Sequence, residues 1–195
     1  MAPRHPPPRH RVVALCLDGL VAFDLAAPAQ AFTLAAREDG APLYEFSTCT
    51  VGGGEVGTTT GFAMRPGGSG GARPGAGEGP GLEALERADT VVVPGYFAVL
   101  DPPPPEATAA LRRAAGRGAR VLSVCTGAFA LAHAGLLDGR RAATHWAWAG
   151  ELARRFPAVE VDPDALYVDE GAVMTSAGLS AGIDLSLHVV RRDFG

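Results

Sequence analysis

A short strand pattern, Arg120–Val124, leads straight into Cys125, and a helical pattern begins directly behind it. The small residues Gly127 and Ala128 leave room for a sharp strand-to-helix bend of the nucleophile-elbow type. Unpaired amides and the positive end of the helix dipole at such a bend are expected to lower the pKa of the thiol. Cys125 is therefore the first candidate for chemistry. The alternative is a small buried apolar residue, as unpaired cysteines usually are.

The rest of the chain alternates strand and helix patterns. The fully apolar, β-branched run 90–93 is typical of the centre of a parallel sheet. We expect a three-layer α/β/α sandwich around a mostly parallel, flavodoxin-like sheet. The predicted strands are 12–17, 43–50, 90–93, 120–124, 141–144, 166–168 and 173–175, with a small ribbon at 61–65. The predicted helices are 24–37, 82–87, 106–113, one after Cys125 that ends at about 134, 146–156 and 182–192.

Three segments are expected to meet where the parallel strands end, which is where such sheets bind ligands. Asp24 follows the first strand, Gly95 and Tyr96 follow the second apolar run, and Cys125 follows its own strand. Because these residues come from separate parts of the chain, their convergence favours a functional role for Cys125 over simple burial.

Length and composition predict one domain, residues 11–195, after a disordered proline-rich leader, residues 1–10. Residues 66–81 are mostly Gly, Pro, Ala and Arg, which bury too little apolar surface to offset the cost of ordering the backbone. We expect a flexible loop there.

Charge and cysteine usage narrow the class of protein. The net charge is −4 and the arginines are spread among several elements. The sequence therefore does not predict a basic surface for binding nucleic acid. The three cysteines are widely spaced, as in reduced cytoplasmic proteins, and neither they nor the histidines have the spacing of a metal site. No apolar run suggests a signal peptide or membrane span. We expect a cytoplasmic protein without metal, cofactor or membrane contact.

Four motifs resemble the PfpI/ThiJ superfamily, which has the class I glutamine-amidotransferase-like fold. Together they spread over most of residues 11–195. They are LDGLVAFDL (17–25), ADTVVVPG (88–95), SVCTGAF (123–129) with AGLLDGRRAATHW (134–146), and TSAGLSAGID (175–184).

The resemblance extends to two branches of that superfamily. One is the small-molecule-sensing N-terminal domain of AraC-family transcriptional regulators, which residues 166–171 and 187–195 resemble more closely. It implies a homodimer that binds DNA through a C-terminal helix-turn-helix domain, expected after this domain but absent from this chain. The alternative branch is isonitrile hydratase, which adds water to isonitriles to give N-substituted formamides.

By this resemblance, Cys125 is the nucleophile and Asp24 its acidic partner. If Asp24 lies buried near the sulfur, its pKa should be raised so that it can donate a proton; the alternative is that it N-caps the first helix. Thr126 matches the threonine of isonitrile hydratases and would orient water or hold a developing charge. Because histidine follows the cysteine in peptidase-like members, Thr126 argues against a Cys-His protease.

The ligand-binding candidates are Gly95, Tyr96, Gly127 and His145. The Tyr96 N–H is expected to serve as an oxyanion-type amide, with its side chain narrowing the mouth of the pocket. His145 would line the pocket or pack against Trp146, and we favour packing. A third functional hypothesis is that Cys125 senses oxidants or electrophiles.

Overall fold

The computed structural model of the protein describes residues 9–68 and 79–195. The strands are β1 His10–Leu15, β2 Tyr44–Cys49, β3 Val56–Gly57, β4 Ala63–Met64, β5 Thr90–Val93, β6 Arg120–Val124, β7 Arg141–Ala142, β8 Glu160–Val161, β9 Tyr167–Glu170 and β10 Val173–Ser176. The α-helices are α1 Ala22–Leu34, α2 Pro105–Gly116, α3 Gly127–His133, α4 Ala149–Arg155 and α5 Ala181–Phe194. Leu82–Arg87 and Trp146–Trp148 form 3₁₀ helices.

Six strands form the central sheet, in the order β2-β1-β5-β6-β10-β9. All neighbouring pairs are parallel except β10–β9, which are antiparallel. The predicted α/β fold with a mostly parallel sheet is confirmed. Parallel pairing brings the ends of β1, β5 and β6 to one edge of the sheet, and the candidate residues follow those ends.

The two faces of the sheet are covered by different helices. Because neighbouring side chains of a strand point to opposite faces, Val13, Val91 and Val121 pack with α2, α3 and α4, while their neighbours Val12 and Val92 pack with α1 and α5. Helices therefore cover both faces of the sheet, as the strand–helix alternation predicts.

Most predicted boundaries shift by a few residues: the strand predicted at 12–17 spans 10–15, and the helix predicted at 24–37 spans 22–34. Two elements also differ in partner or in helix type. Residues 141–144 do not join the central sheet; β7 pairs in parallel with β8 as a separate ribbon. The helix predicted over 146–156 starts as a 3₁₀ turn and becomes α-helical only at Ala149. The 3₁₀ turn at 146–148 has no buried residue, so no apolar face fixes it as α-helix.

The Gly/Pro-rich loop prediction concerns residues 66–81, of which 69–78 lie outside the described residues, as do residues 1–8 of the leader. Backbone hydrogen bonds join one described end of the loop to β2 and the other to the residue that follows β2. The Thr48 N–H donates to the Gly67 carbonyl at 2.7 Å, and the Thr50 N–H donates to the Pro80 carbonyl at 3.2 Å. Within the described ranges, no helix is both long and apolar enough to span a membrane.

Candidate ligand site around Cys125

Cys125 lies between the end of β6 and the start of α3, with φ at 58°. Few non-glycine residues adopt this left-handed backbone, and here hydrogen bonds on both sides hold it. The Cys125 N–H is shared between the carbonyls of Ser176 (3.0 Å) and Ala177 (3.3 Å). The Thr144 hydroxyl donates to the Cys125 carbonyl at 2.8 Å. The bend is thereby fixed between β6, β10 and the segment after β7.

Asp24 lies in the first turn of α1 and is fully buried. It does not cap that helix, because the N-cap residue is Val21 and no side chain caps it. Instead Oδ1 accepts a hydrogen bond from the Leu179 N–H at 2.9 Å. Oδ2 has no hydrogen-bond partner among the described residues. Burial raises the pKa of Asp24, as expected, and the Leu179 N–H and the Cys125 thiol offset only part of that effect.

Leu179 was not predicted as a site residue. Its φ is 57°, and among the described residues only it and Cys125 combine a side chain with a positive φ. A strained backbone of this kind persists only where its surroundings hold it. No local sequence signal marks Leu179, since the contact joins residues 155 positions apart.

Thr126 and Tyr96 are joined by two hydrogen bonds. The Tyr96 N–H donates to Thr126 Oγ1 at 2.9 Å, and the same hydroxyl donates to the Tyr96 carbonyl at 2.8 Å. The Tyr96 N–H therefore does not point free into the pocket as an oxyanion-type amide, which corrects that expectation. The Thr126 hydroxyl already donates its only proton to the Tyr96 carbonyl, so it has none left to donate to a bound water or intermediate.

Glycines bring the backbone close to the reactive side chains. A Cβ on Gly95 would collide with Asp24 Oδ2 and lie 3.1 Å from Cys125 Cβ. A Cβ on Gly127 would collide with the Val93 carbonyl, so this position serves close packing behind Cys125. A Cβ on Gly178, which sequence reasoning missed, would lie 2.9 Å from Cys125 Sγ. Gly95 and Gly178 thus keep space beside the thiol.

His145 packs against its neighbour Trp146 and also lies near Cys125. Its ring stacks on Trp146, with centroids 5.6 Å apart, and Nδ1 accepts the Ala147 N–H at 3.2 Å. The opposite side of the ring reaches the site, since Cδ2 lies 3.1 Å from the position of a Cβ on Gly178. Packing fixes the ring while one edge borders the space next to Cys125.

Comparison with known proteins identifies the family. The profile of the DJ-1/PfpI family matches residues 10–192. The chain belongs to the DJ-1/PfpI family. An uncharacterized protein in the cpoL 5' region of Streptomyces lividans is 42% identical over 149 residues, covering 76% of this chain and 96% of that protein.

Named relatives of this DJ-1/PfpI chain include regulators and an enzyme. The HTH-type transcriptional regulator GbdR of Pseudomonas aeruginosa is 29% identical over 97% of this chain and 49% of its own length. Isonitrile hydratase of Pseudomonas putida is 38% identical over 55% of this chain and 46% of its own length. The chain thus spans about half the length of these named relatives.

Solved structures show the same fold. An AraC family transcriptional regulator from Pseudomonas putida superposes with a TM-score of 0.76 at 21% identity, covering 96% of this chain and 94% of that one. Drosophila melanogaster DJ-1beta superposes with a TM-score of 0.75 at 16% identity, covering 95% and 91%. At identities this low, the similarity shows that these proteins share the DJ-1/PfpI fold.

The electrostatics of the Cys125 thiol contradict the expected thiolate. Burial, and next the carboxyl of Asp24, raise the pKa of Cys125 to about 12. The backbone N–H of Thr126 lowers the pKa of Cys125 but is outweighed. The helix behind the thiol, α3, has only seven residues, and dipole effects are modest compared with loss of hydration. In this DJ-1/PfpI site the resting cysteine is a neutral thiol.

Proposed function

We propose that this chain is the small-molecule-sensing domain of an AraC-family transcriptional regulator. The observation that carries the proposal is the burial of the Cys125 thiol beside the Asp24 carboxyl, which raises the pKa of the thiol. A thiol that keeps its proton is a poor nucleophile at neutral pH, but it lines a ligand pocket well as a small, polarizable group. The alignment with GbdR supports the same conclusion, because it extends over 97% of this chain and half of that regulator.

In this proposal the ligand occupies the space beside Cys125. Gly95 and Gly178 leave that space open, and His145 borders it. In this proposal, the backbone at Cys125 bends like a nucleophile elbow, and the bend serves to form the ligand pocket. Asp24, whose pKa is raised by burial, lies beside Cys125 and Gly95 at the edge of that space.

The regulator would act as a cytoplasmic homodimer. On α1 and α5, four large apolar side chains are exposed together along a groove of about 550 Å³. They are Phe23, Leu34, Ile183 and Leu187. Exposed apolar patches of this kind mark protein interfaces, and a second copy of this face supplies a matching apolar surface in a twofold dimer. DNA binding would belong to a helix-turn-helix domain outside these residues.

Two experiments test the regulator proposal. Reading the source gene past the codon for Gly195 should reveal an open frame continuing into a helix-turn-helix segment; an immediate stop codon would contradict that part of the proposal.

In a thermal-shift screen of small metabolites, we expect a ligand that stabilises both the wild type and Cys125→Ala. Gly95→Val places a side chain in the space beside Cys125 and should abolish that thermal shift. Conversion of the stabilising ligand by the wild type would contradict a pure sensor.

A second candidate function is isonitrile hydration. It is favoured by the placement of Asp24 beside Cys125, and by the relative from Pseudomonas putida. The Cys125 sulfur would bond to the terminal carbon of R–NC while its proton goes to that carbon through Asp24. Water would then add to this carbon and the thiol would leave, giving R–NH–CHO. Incubation with an isonitrile panel tests it: formamide from the wild type and none from Cys125→Ala would establish the enzyme.

A further inference from the structure

The segment that follows β7 meets the Cys125 site through one buried side chain. Thr144 is 2% exposed, and its hydroxyl donates to the Cys125 carbonyl at 2.8 Å. The next residue is His145, whose ring edge borders the space beside the thiol. Thr144 therefore joins two sides of the ligand space, the bend at Cys125 and the ring of His145.

The bend at Cys125 depends on hydrogen bonds from outside its own helix. With φ at 58°, Cys125 has a backbone conformation that is unfavourable for a residue with a side chain. The carbonyl of Cys125 accepts only a long bond of 3.5 Å from the Ala128 N–H, besides the short bond from Thr144. Among the described residues, the Thr144 hydroxyl is the one side-chain group that hydrogen bonds to the Cys125 backbone.

Thr144 is itself held in place by the sheet. The N–H of the preceding residue, Ala143, donates to the Thr175 hydroxyl at 2.8 Å in the buried core. Thr175 lies on β10 and pairs with Ser123 of β6, the strand that leads into Cys125. The segment that carries Thr144 is thus fixed to the same strands as the bend that it contacts.

The backbone at Cys125 determines where the sulfur lies. A Cβ on Gly178 would lie 2.9 Å from Cys125 Sγ, and a Cβ on Gly95 would collide with Asp24 Oδ2 and lie 3.1 Å from Cys125 Cβ. The thiol is therefore enclosed between two glycines and the Asp24 carboxyl. Burial, and next that carboxyl, raise the pKa of the thiol. A change of the Cys125 backbone would move the sulfur relative to all of these groups.

We propose that Thr144 is a positioning residue of the ligand site, which holds the left-handed bend at Cys125 through its hydroxyl. Without that hydroxyl the Cys125 carbonyl loses its short bond, and the strained backbone relaxes because its surroundings no longer hold it. The sulfur then moves away from Asp24 and gains contact with water. This role deepens the proposed sensor function and rests on it in one respect, that the thiol borders the ligand space.

Alkylation of the folded protein by iodoacetamide at about pH 8 tests the proposal, with the rate at each cysteine followed by mass spectrometry. Thr144→Val replaces the hydroxyl by a methyl group of similar size. We expect it to speed alkylation of Cys125 about tenfold, the factor given by a pKa lowered by about one unit, because the thiolate is the reacting form. Thr144→Ser keeps the donor and should react like the wild type. If Thr144→Val does not fold, Thr144→Ala takes its place with the same expected result.

Two controls separate positioning of the thiol from a general loss of stability. Cys16 and Cys49 are fully buried, so alkylation through unfolding would speed up at them as well, whereas the proposal expects the change at Cys125 alone. The matched variant is Thr90→Val. Thr90 is also fully buried, and its hydroxyl shares a 2.8 Å hydrogen bond with His10, but it lies at the start of β5, at the opposite edge of the sheet. This variant should leave the rate at Cys125 unchanged.

The proposal is overturned if Cys125 in the folded valine or alanine variant reacts at the wild-type rate or more slowly. It is equally overturned if Thr144→Ser or Thr90→Val accelerates Cys125 as much, or if Cys16 and Cys49 accelerate together with Cys125. These results leave the sensor function standing, because that function is tested by ligand stabilisation of the wild type. A metabolite screen without a ligand, in turn, would leave the alkylation result unchanged.

Discussion

The amide of Leu179 donates a 2.9 Å hydrogen bond to Oδ1 of Asp24, 155 residues away along the chain. This bond ties the first turn of α1 to the loop before α5, beside Cys125. Leu179 holds a φ of 57° where it makes the bond. Left-handed backbone costs a non-glycine residue about 1–2 kcal/mol, so the surrounding packing stabilises an arrangement that the local sequence disfavours.

The first prediction concerns Asp24 and pH. Because the pKa of Asp24 is raised on folding, the folded protein keeps a proton that the unfolded chain loses above about pH 4. The free energy of unfolding should therefore fall as pH rises through the interval between those two pKa values. Asp24→Asn should flatten this slope in urea unfolding measured at several pH values. The exposed Asp138→Asn serves as control and should keep the wild-type slope; equal slopes for all three proteins would contradict the assignment.

The second prediction concerns the space beside the thiol. A Cβ at Gly178 would lie 2.9 Å from Cys125 Sγ and 3.1 Å from His145 Cδ2. Gly178→Ala should therefore slow alkylation of Cys125 by iodoacetamide at least about tenfold, a barrier increase of about 1.4 kcal/mol. Gly150→Ala, where nothing lies within 4 Å, is the matched control and should react like the wild type. Equal rates in both variants would mean that Gly178 does not border the access route.

The third prediction concerns the Thr126 hydroxyl. Its two bonds to the Tyr96 backbone are buried, so Thr126→Val leaves a buried N–H and a buried carbonyl unpaired. We expect a loss of about 2–4 kcal/mol in the free energy of unfolding, from two unsatisfied groups. Thr126→Ser keeps the hydroxyl and should lose much less. Similar losses for both variants would show that the hydroxyl bonds contribute little to stability.

The fourth prediction concerns assembly. Analytical ultracentrifugation should find the wild type dimeric. Leu34→Arg or Leu187→Arg, each placing a charge in the apolar groove between α1 and α5, should give monomers. Leu166 lies outside that groove and its exposure is between those of Leu34 and Leu187, so Leu166→Arg should remain dimeric. A monomeric wild type, or a dimer that tolerates both arginines, would contradict the proposed face.

Much of the fold could be predicted because it depends on local patterns. The β-branched run 90–93 predicts a central strand, and β5 is central. The ends of β1, β5 and β6 converge by the rules of parallel sheets, so Asp24, Gly95 and Cys125 come together as expected.

What could not be predicted depends on long-range packing. The pKa of Cys125 is raised because other segments of the chain exclude water from the thiol. The position of Cys125 before a helix, which is all that the local sequence shows, does not reveal that burial. Likewise, the Tyr96 N–H is taken by a hydroxyl 30 residues away. The partner of β7 is β8 instead of the central sheet, a pairing that a two-residue strand does not specify.

The most direct test is the pKa of Cys125, measured as the pH dependence of its alkylation rate with the modified residue identified by mass spectrometry. Cys16 and Cys49 are fully buried with raised pKa values and should not interfere. The account predicts a rate that still rises above pH 9 toward a pKa of about 12, and a lower pKa in Asp24→Asn. A pKa below about 7, as in activated cysteines, would contradict the neutral-thiol sensor and favour the enzyme.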